Sequence, residues 1–149
     1  MRAAETERGS LLIHRKSFMV ASETRRQAVD IRPQVEEVVH SVGAKNGIVI
    51  VNCLHTTCSV LVTESGAEGV LRLMSHVIQD DQPYRHNDLR WSDCERGNAA
   101  AHLRASLLGP GITMAIANGR LALEEHHSIW LAEWDGPRSR TVEIQILGS

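Results

Sequence analysis

The sequence predicts an α+β fold, a single compact domain of mainly antiparallel sheet with three helices. β-Branched apolar runs recur along the chain, and an Asn118-Gly119 pair between two of them marks a tight hairpin. Between the strands stand isolated segments with apolar residues at helical spacing. Residues 1–10 read as an N-terminal tail and residues 11–149 as the domain.

Taken in order, residues 11–20 (LLIHRKSFMV) read as a strand and 24–30 (TRRQAVD) as a second, weaker one. Asp30 is placed to cap a helix with Pro33 in its first turn. Val35, Val38, Val39 and Val42 follow at helical spacing, and Gly43 suits the C-terminal cap. After the Asn46-Gly47 turn, IVIVNCL is a strand too apolar for the surface. From Thr57 to Thr63 residues alternate, with Cys58, Val60 and Val62 on one face and Thr57, Ser59, Leu61 and Thr63 on the other. Ser65 and Glu68 have capping-box spacing, ahead of a helix face of Ala67, Val70, Leu71, Met74 and Ile78. Residues 79–97 are polar and without period, and a loop of that length in a compact domain is usually functional or disordered. A third helix covers 98–108, expected to bury Leu103 and Leu107 while His102 and Ser106 share another face. ITMAIA with RLAL, SIWLAEW and TVEIQIL supply the closing strands.

The chain has 149 residues, enough for one ordinary core, and a net charge of −2, which gives no global reason to expect nucleic acid or an anionic membrane. No apolar run approaches the ~18 residues that span a bilayer, and the first ten residues have no apolar leader segment, so the expected location is the cytoplasm. The cysteines Cys53, Cys58 and Cys94 are odd in number, lack C-x-x-C spacing and read as thiols. Cys53 and Cys58 read as small buried apolar residues, and Cys94, in a polar loop, as a further candidate ligand.

Three histidines stand in polar motifs at strand ends, in loops or on a helix: His55 in LHTTCS, His86 in YRHNDL and His102 in NAAAHL. Imidazole is the commonest nitrogen ligand, and three with an open fourth position make a catalytic type of zinc site, provided the fold brings them together. Thr56 and Thr57 offer hydroxyls to an oxyanion or a water. Asp88 is placed to ligate a metal or orient His86. Asp80 and Asp81 could hold magnesium on a diphosphate whose oxygens are taken by arginines such as Arg96 and Arg120. Glycine-rich phosphate loops and the G-x-S-x-G serine elbow are absent from the sequence.

HTTCSVLVTE (55–64), DQPYRHND (81–88), AHLRASLLGP (101–110), NGRLAL (118–123) and SIWLAEWDGPR (128–138) together resemble the YjbQ-like family, in order and from about residue 11 onward. The resemblance implies a small α+β homotrimer with sites near subunit boundaries and a family label of secondary thiamine-phosphate synthase. It implies a metal on His55, His86 and His102, with the family's acidic residue at Glu64 and its helix serine at Ser106. If 55–64 is one straight strand, nine steps of about 3.3 Å put His55 and Glu64 roughly 30 Å apart, too far to meet within one chain. Where the family usually reads Gly-Thr-Trp-Gln, this chain has Glu124, Glu125, His126 and His127. His126 could still offer a flat ring and His127 a hydrogen bond, with an altered substrate range.

Three functions follow. A synthase joins an aminopyrimidine diphosphate to a thiazole phosphate, using a divalent metal with Asp80, Asp81, Arg96 and Arg120; magnesium prefers oxygen ligands, so three histidines are not its natural site. A zinc-dependent hydrolase uses the three histidines, Glu64 or Asp88 as general base, and Ser106 or Thr57 on the substrate. A metal- or small-anion-binding trimer does neither chemistry.

Overall fold

Strand alternation determines how the two sheets of this protein meet. The structure, a computed structural model, describes residues 10–64, 66–92 and 94–149. Residues 1–9 of the expected 1–10 tail and the Ser65 cap lie outside the described residues. Eight strands and three α-helices run in the order β1 (Leu12–Ala21), β2 (Gln27–Asp30), α1 (Arg32–Val42), β3 (Gly47–Cys53), β4 (Cys58–Glu64), α2 (Glu68–Val77), α3 (Ala99–Leu108), β5 (Gly111–Ala117), β6 (Arg120–Leu121), β7 (His127–Glu133) and β8 (Ser139–Gly148). One sheet has the order β1-β8-β3-β5-β6 and the other β2-β7-β4, every pairing antiparallel. The α+β expectation holds. The second strand is shorter than the sequence suggested, beginning at Gln27.

Alternate residues of the smaller sheet face two cores. Cys58, Val60, Ile129 and Leu131 join Val49, Val51, Val142, Ile144 and Ile146 of the larger sheet and Val35, Val38 and Val39 of α1. Ala132 and Trp134, with Leu61 packed beside them, join Leu71 and Met74 of α2 and Ala101 and Ala105 of α3. Ser59 is therefore fully buried, on the face expected to be polar, and accepts a 3.1 Å hydrogen bond from Trp134 Nε1.

Local signals explain most boundaries. Asp30 Oδ1 accepts the Arg32 amide at 2.9 Å, and Gly43 closes α1 at φ 71°, a left-handed conformation that glycine adopts without a Cβ penalty. The Asn118-Gly119 turn has both residues at positive φ, as a tight hairpin requires. α2 begins at Glu68, later than the Ser65–Glu68 box implied. Among its described residues the long polar stretch contains one 3-10 turn, Arg85–Asn87.

Two expectations are corrected. α3 does not bury its leucines: Leu103 and Leu107 are 45% and 64% exposed, while Ala99, Ala100, Ala101, Arg104 and Ala105 are buried. Alanines let the helix approach the smaller sheet closely, and the same rotation lets Arg104 reach the Ile78 carbonyl and Asp80. Cys53 and Cys58 are not thiols but a disulfide, formed where β3 ends and β4 begins with Cα atoms 6.7 Å apart and both residues turned into the core. Cys94 is a free thiol. Among the described residues no helix is long and apolar enough to cross a membrane.

This packing makes a direct prediction for urea denaturation. Leu103→Ala should cost about 0.5 kcal/mol or less, as at other exposed positions, at protein concentrations low enough that the chain is monomeric. Ala105→Leu should cost about 1–3 kcal/mol by overfilling the helix–sheet contact. The reverse ranking would mean that the helix is turned the other way.

Candidate functional site

The two sheets are tied at one corner by a buried ion pair. Arg140, from β8, is 3% exposed at its side chain, and Glu133, the last residue of β7, is fully buried. Arg140 Nε and Nη2 each meet a Glu133 carboxylate oxygen at 2.6 Å, and Nη2 also reaches Thr57 Oγ1 at 2.8 Å. Glu133 further accepts the Asp135 amide at 2.8 Å and the Ser22 hydroxyl at 3.2 Å. Every lone pair and proton facing inward therefore has a partner, the condition under which a buried ion pair is tolerated.

The turn after β7 hangs from this pair. Gly136 packs so closely that an added Cβ would stand 2.3 Å from the Thr24 carbonyl oxygen, which explains the glycine. Ser22 Oγ accepts the Arg138 amide at 2.9 Å, fixing that backbone while leaving the side chain 40% exposed. Asp135, 2% exposed at its side chain, receives Arg96 Nε at 2.8 Å, Arg96 Nη2 at 3.0 Å and Asn98 Nδ2 at 3.0 Å. Burial pushes the Asp135 carboxyl upward, but hydrogen bonds from Arg96 and Asn98, with the charges of Arg96 and Arg138, prevail and hold it below the usual range.

A cavity of about 300 Å³ lies over this corner, lined by Leu54, His55, Thr56, Thr57, Asn98 and His102 together with Asp135, Arg138 and Arg140. His55 Nε2 accepts the Thr141 amide at 3.0 Å, so the neutral ring carries its proton on Nδ1. Asn98 Nδ2 is committed to Asp135, so Oδ1 accepts from His86 Nε2 at 3.1 Å and from Cys94 Sγ at 3.3 Å. The His86 and His102 rings meet edge to face with centroids 5.1 Å apart. The pKa of His102 is lowered, first by burial and then by the His86 charge, against the raising effects of a hydrogen bond to the Thr56 backbone and of Asp135. That of His55 is lowered by burial, then by Arg140, with Glu133 opposing and Arg138 adding to the fall. Both shifts favour the neutral imidazole at pH 7.

Of the residues singled out in the sequence, His55, Thr56, Thr57 and His102 line the cavity, and His86 and Arg96 border it through Asn98 and Asp135. The others are elsewhere or engaged. Asp88 is held by Arg90, with contacts of 2.5–3.0 Å, and those hydrogen bonds lower its pKa. Asp80 pairs with the buried Arg104 and with Arg26, both at 3.0 Å. Asp81 and Ser106 are exposed, and Ser106 lies one turn beyond His102. Glu64 and His127 are register partners at the far end of β4 and β7, about 20 Å of strand from Cys58. Arg120 lines a different cavity. Sequence reasoning missed Asn98, Glu133, Asp135, Arg138 and Arg140, although all but Asn98 and Arg140 fall within the SIWLAEWDGPR block.

The donor set does not form a three-histidine metal site within one chain. His55 has its only free lone pair on the Thr141 amide, leaving His86 and His102 with one available nitrogen each. Among the described residues no group of three His, Cys, Asp or Glu side chains is arranged to hold a metal ion.

Two antiparallel sheets and three helices, with a polar cavity at one corner lined by histidines and guanidiniums, define an α+β protein of the two-sheet kind. The model of the UPF0047 protein YjbQ-like family matches residues 16–149, and the chain belongs to that family. UPF0047 protein YugU of Bacillus subtilis is 30% identical over 133 residues, 89% of this chain and 98% of its own. A UPF0047 protein of Archaeoglobus fulgidus is 34% identical over 126 residues, 83% of this chain and 93% of its own. The crystal structure of a YbjQ-like protein of unknown function from Sulfolobus solfataricus superposes with a TM-score of 0.87 at 29% identity, covering 94% of this chain and all of its own.

Two predictions follow from the corner. Glu133→Ala should cost about 3–5 kcal/mol in denaturant unfolding by leaving Arg140 buried and unpaired, while a loss below 1 kcal/mol would show that water reaches it. Because His55 and His102 have pKa values below 6.5 in the fold, the unfolded chain takes up protons first as pH falls through 6.5. Stability should therefore be full above that value and decline below it, and His102→Gln should flatten the decline in thermal melts from pH 7.5 to 5, a window set by the ordinary histidine range of about 5–8.

Proposed function

We propose that the protein binds a small anionic ligand, a phosphorylated or carboxylated metabolite, in the cavity over Asp135 and Arg138. The observation that carries this is the charge balance of the corner. Among the described residues Arg96, Arg138 and Arg140 pair only with Glu133 and Asp135, and Asp135 is already taken by Arg96. Arg138, whose nearest carboxylate oxygen is 3.8 Å away, has donors to spare at the cavity mouth. Thr56 adds an exposed hydroxyl beside it.

His102 gives the same pocket a second reading, as a hydrolytic site. A neutral imidazole that donates one proton to the Thr56 backbone keeps a lone pair on its other nitrogen, and a base near physiological pH is what water activation needs. The His86–His102 pair also offers two nitrogen ligands to a divalent metal such as zinc, which would need further ligands from outside the pair; no step here depends on one. The synthase activity attached to the family has less support, because Asp80 is held by arginines and Arg120 belongs to another cavity. A homotrimer is part of the proposal: Leu54 at the cavity and Leu103 and Leu107 on the His102 helix are exposed apolar groups that a neighbouring copy would cover.

Calorimetric titration with sulfate tests the reading, since sulfate keeps its charge through the histidine range. Arg138→Ala should weaken binding about tenfold or more, the weight of one hydrogen bond to a charged group. A bound anion favours the protonated rings of His55 and His102, so affinity should rise as pH falls below about 6.5. Binding that ignores both the variant and pH would sink the proposal. Elemental analysis and light scattering on the same preparation measure zinc content and whether the mass is three times that of the chain.

A further inference from the structure

A separate cavity of about 460 Å³ lies between α1 and the β6–β7 connection and shares no lining residue with the first. Its size falls within the roughly 300–1,000 Å³ typical of small-molecule pockets. Arg32, Glu36 and His40 follow one another at four-residue spacing along α1, so they line the cavity as a single stripe. The floor is made by Val39 and Leu121, almost wholly buried at 1% and 9% exposure, and by the half-buried Leu123, which packs on the main core and supplies most of the open apolar surface.

The wall is held in place before any ligand arrives. Arg32 Nε bonds Glu36 at 2.8 Å, and its Nη1 reaches the carbonyls of Glu124, Glu125 and His127 at 3.2, 3.3 and 2.6 Å. Ser128, at the start of β7, donates to Asp30 Oδ1 at 2.6 Å and anchors the other end of the same connection. Arg32 and Glu36 thus neutralise each other. What remains on the rim is one guanidinium, Arg120, and one carboxylate, Glu125, both exposed, with His40 alongside. Neither the Arg120 nor the Glu125 side chain has a hydrogen bond or ion pair among the described residues.

Opposite charges without partners above an apolar floor select against most ligands. A simple anion would meet Glu125, a simple cation would meet Arg120, and an uncharged apolar molecule would desolvate both with nothing in return. We propose that this cavity binds a zwitterionic α-amino acid with a large apolar side chain. Its carboxylate pairs with Arg120, its ammonium with Glu125, and its side chain lies over Val39, Leu121 and Leu123.

Calorimetry on the full chain with L-phenylalanine tests this, using phenylalaninamide, which lacks the carboxylate, and N-acetylphenylalanine, which lacks the ammonium. Phenylalanine should bind, and each analogue should bind about tenfold more weakly or worse. Arg120→Gln should remove the preference over the amide, and Glu125→Gln the preference over the acetylated form. Both residues are exposed, so unchanged thermal unfolding will confirm that the variants fold. Arg138→Ala should leave phenylalanine binding untouched, which separates this site from the anion pocket. No binding of phenylalanine at millimolar concentration overturns the proposal, as does equal binding of the acetylated analogue or indifference to Arg120→Gln.

Discussion

The Arg140–Glu133 pair is the constraint on which the rest of this molecule depends. It joins the last strand of the larger sheet to the central strand of the smaller one, at the edge of the core between them. Two charges removed from water cost several kcal/mol each unless attraction and hydrogen bonds offset the loss. Here the offset comes from Thr57 of the β3–β4 turn, Ser22 beyond β1 and the Asp135 amide. A single buried carboxylate therefore fixes the relative position of segments far apart in the chain, and the pocket is built from those segments.

From that point polarity passes outward in ordered steps. Asp135 is placed by Glu133 and is held between Arg96 and Asn98; Asn98 in turn orients His86, and His86 adds to the lowering that burial already imposes on the pKa of His102. Each link fixes the next one's proton position, so the histidines are set by the protein rather than by solvent. The disulfide between Cys53 and Cys58 closes the short turn that carries His55, Thr56 and Thr57 and adds a covalent tie at the same corner.

The strands were legible because period-two alternation and the Asn118-Gly119 turn are local signals. α1 was legible because its valines lie on one stripe and Asp30 and Gly43 bound it. α3 was misread because AAAHLRASLL has two faces that could be buried, and only the approach of the sheet decides in favour of the alanines. The site was half legible. His55, His86 and His102 carry recognisable chemistry, but Glu133 and Arg140 resemble ordinary surface residues until the two sheets close over them. The disulfide escaped notice because its spacing matches no common motif, and it needs the β3–β4 turn to bring the sulfurs together. Asp80 looked free because its partner Arg104 sits on a helix whose rotation the sequence did not determine.

The strand order also has a temporal consequence. β8 lies between β1 and β3, pairing with the first strand from Leu12↔Gly148 to Ala21↔Ser139, yet it is the last strand of the chain to be synthesised. Until it emerges from the ribosome, β1 has no neighbour in its sheet and β3 has only one. Antiparallel contacts this distant in sequence make for slow folding, and nascent chains would wait with unpaired, apolar edges exposed. The central seat of β8 thus makes the larger sheet one that closes late, with the edges of β1 and β3 exposed to aggregation until it does.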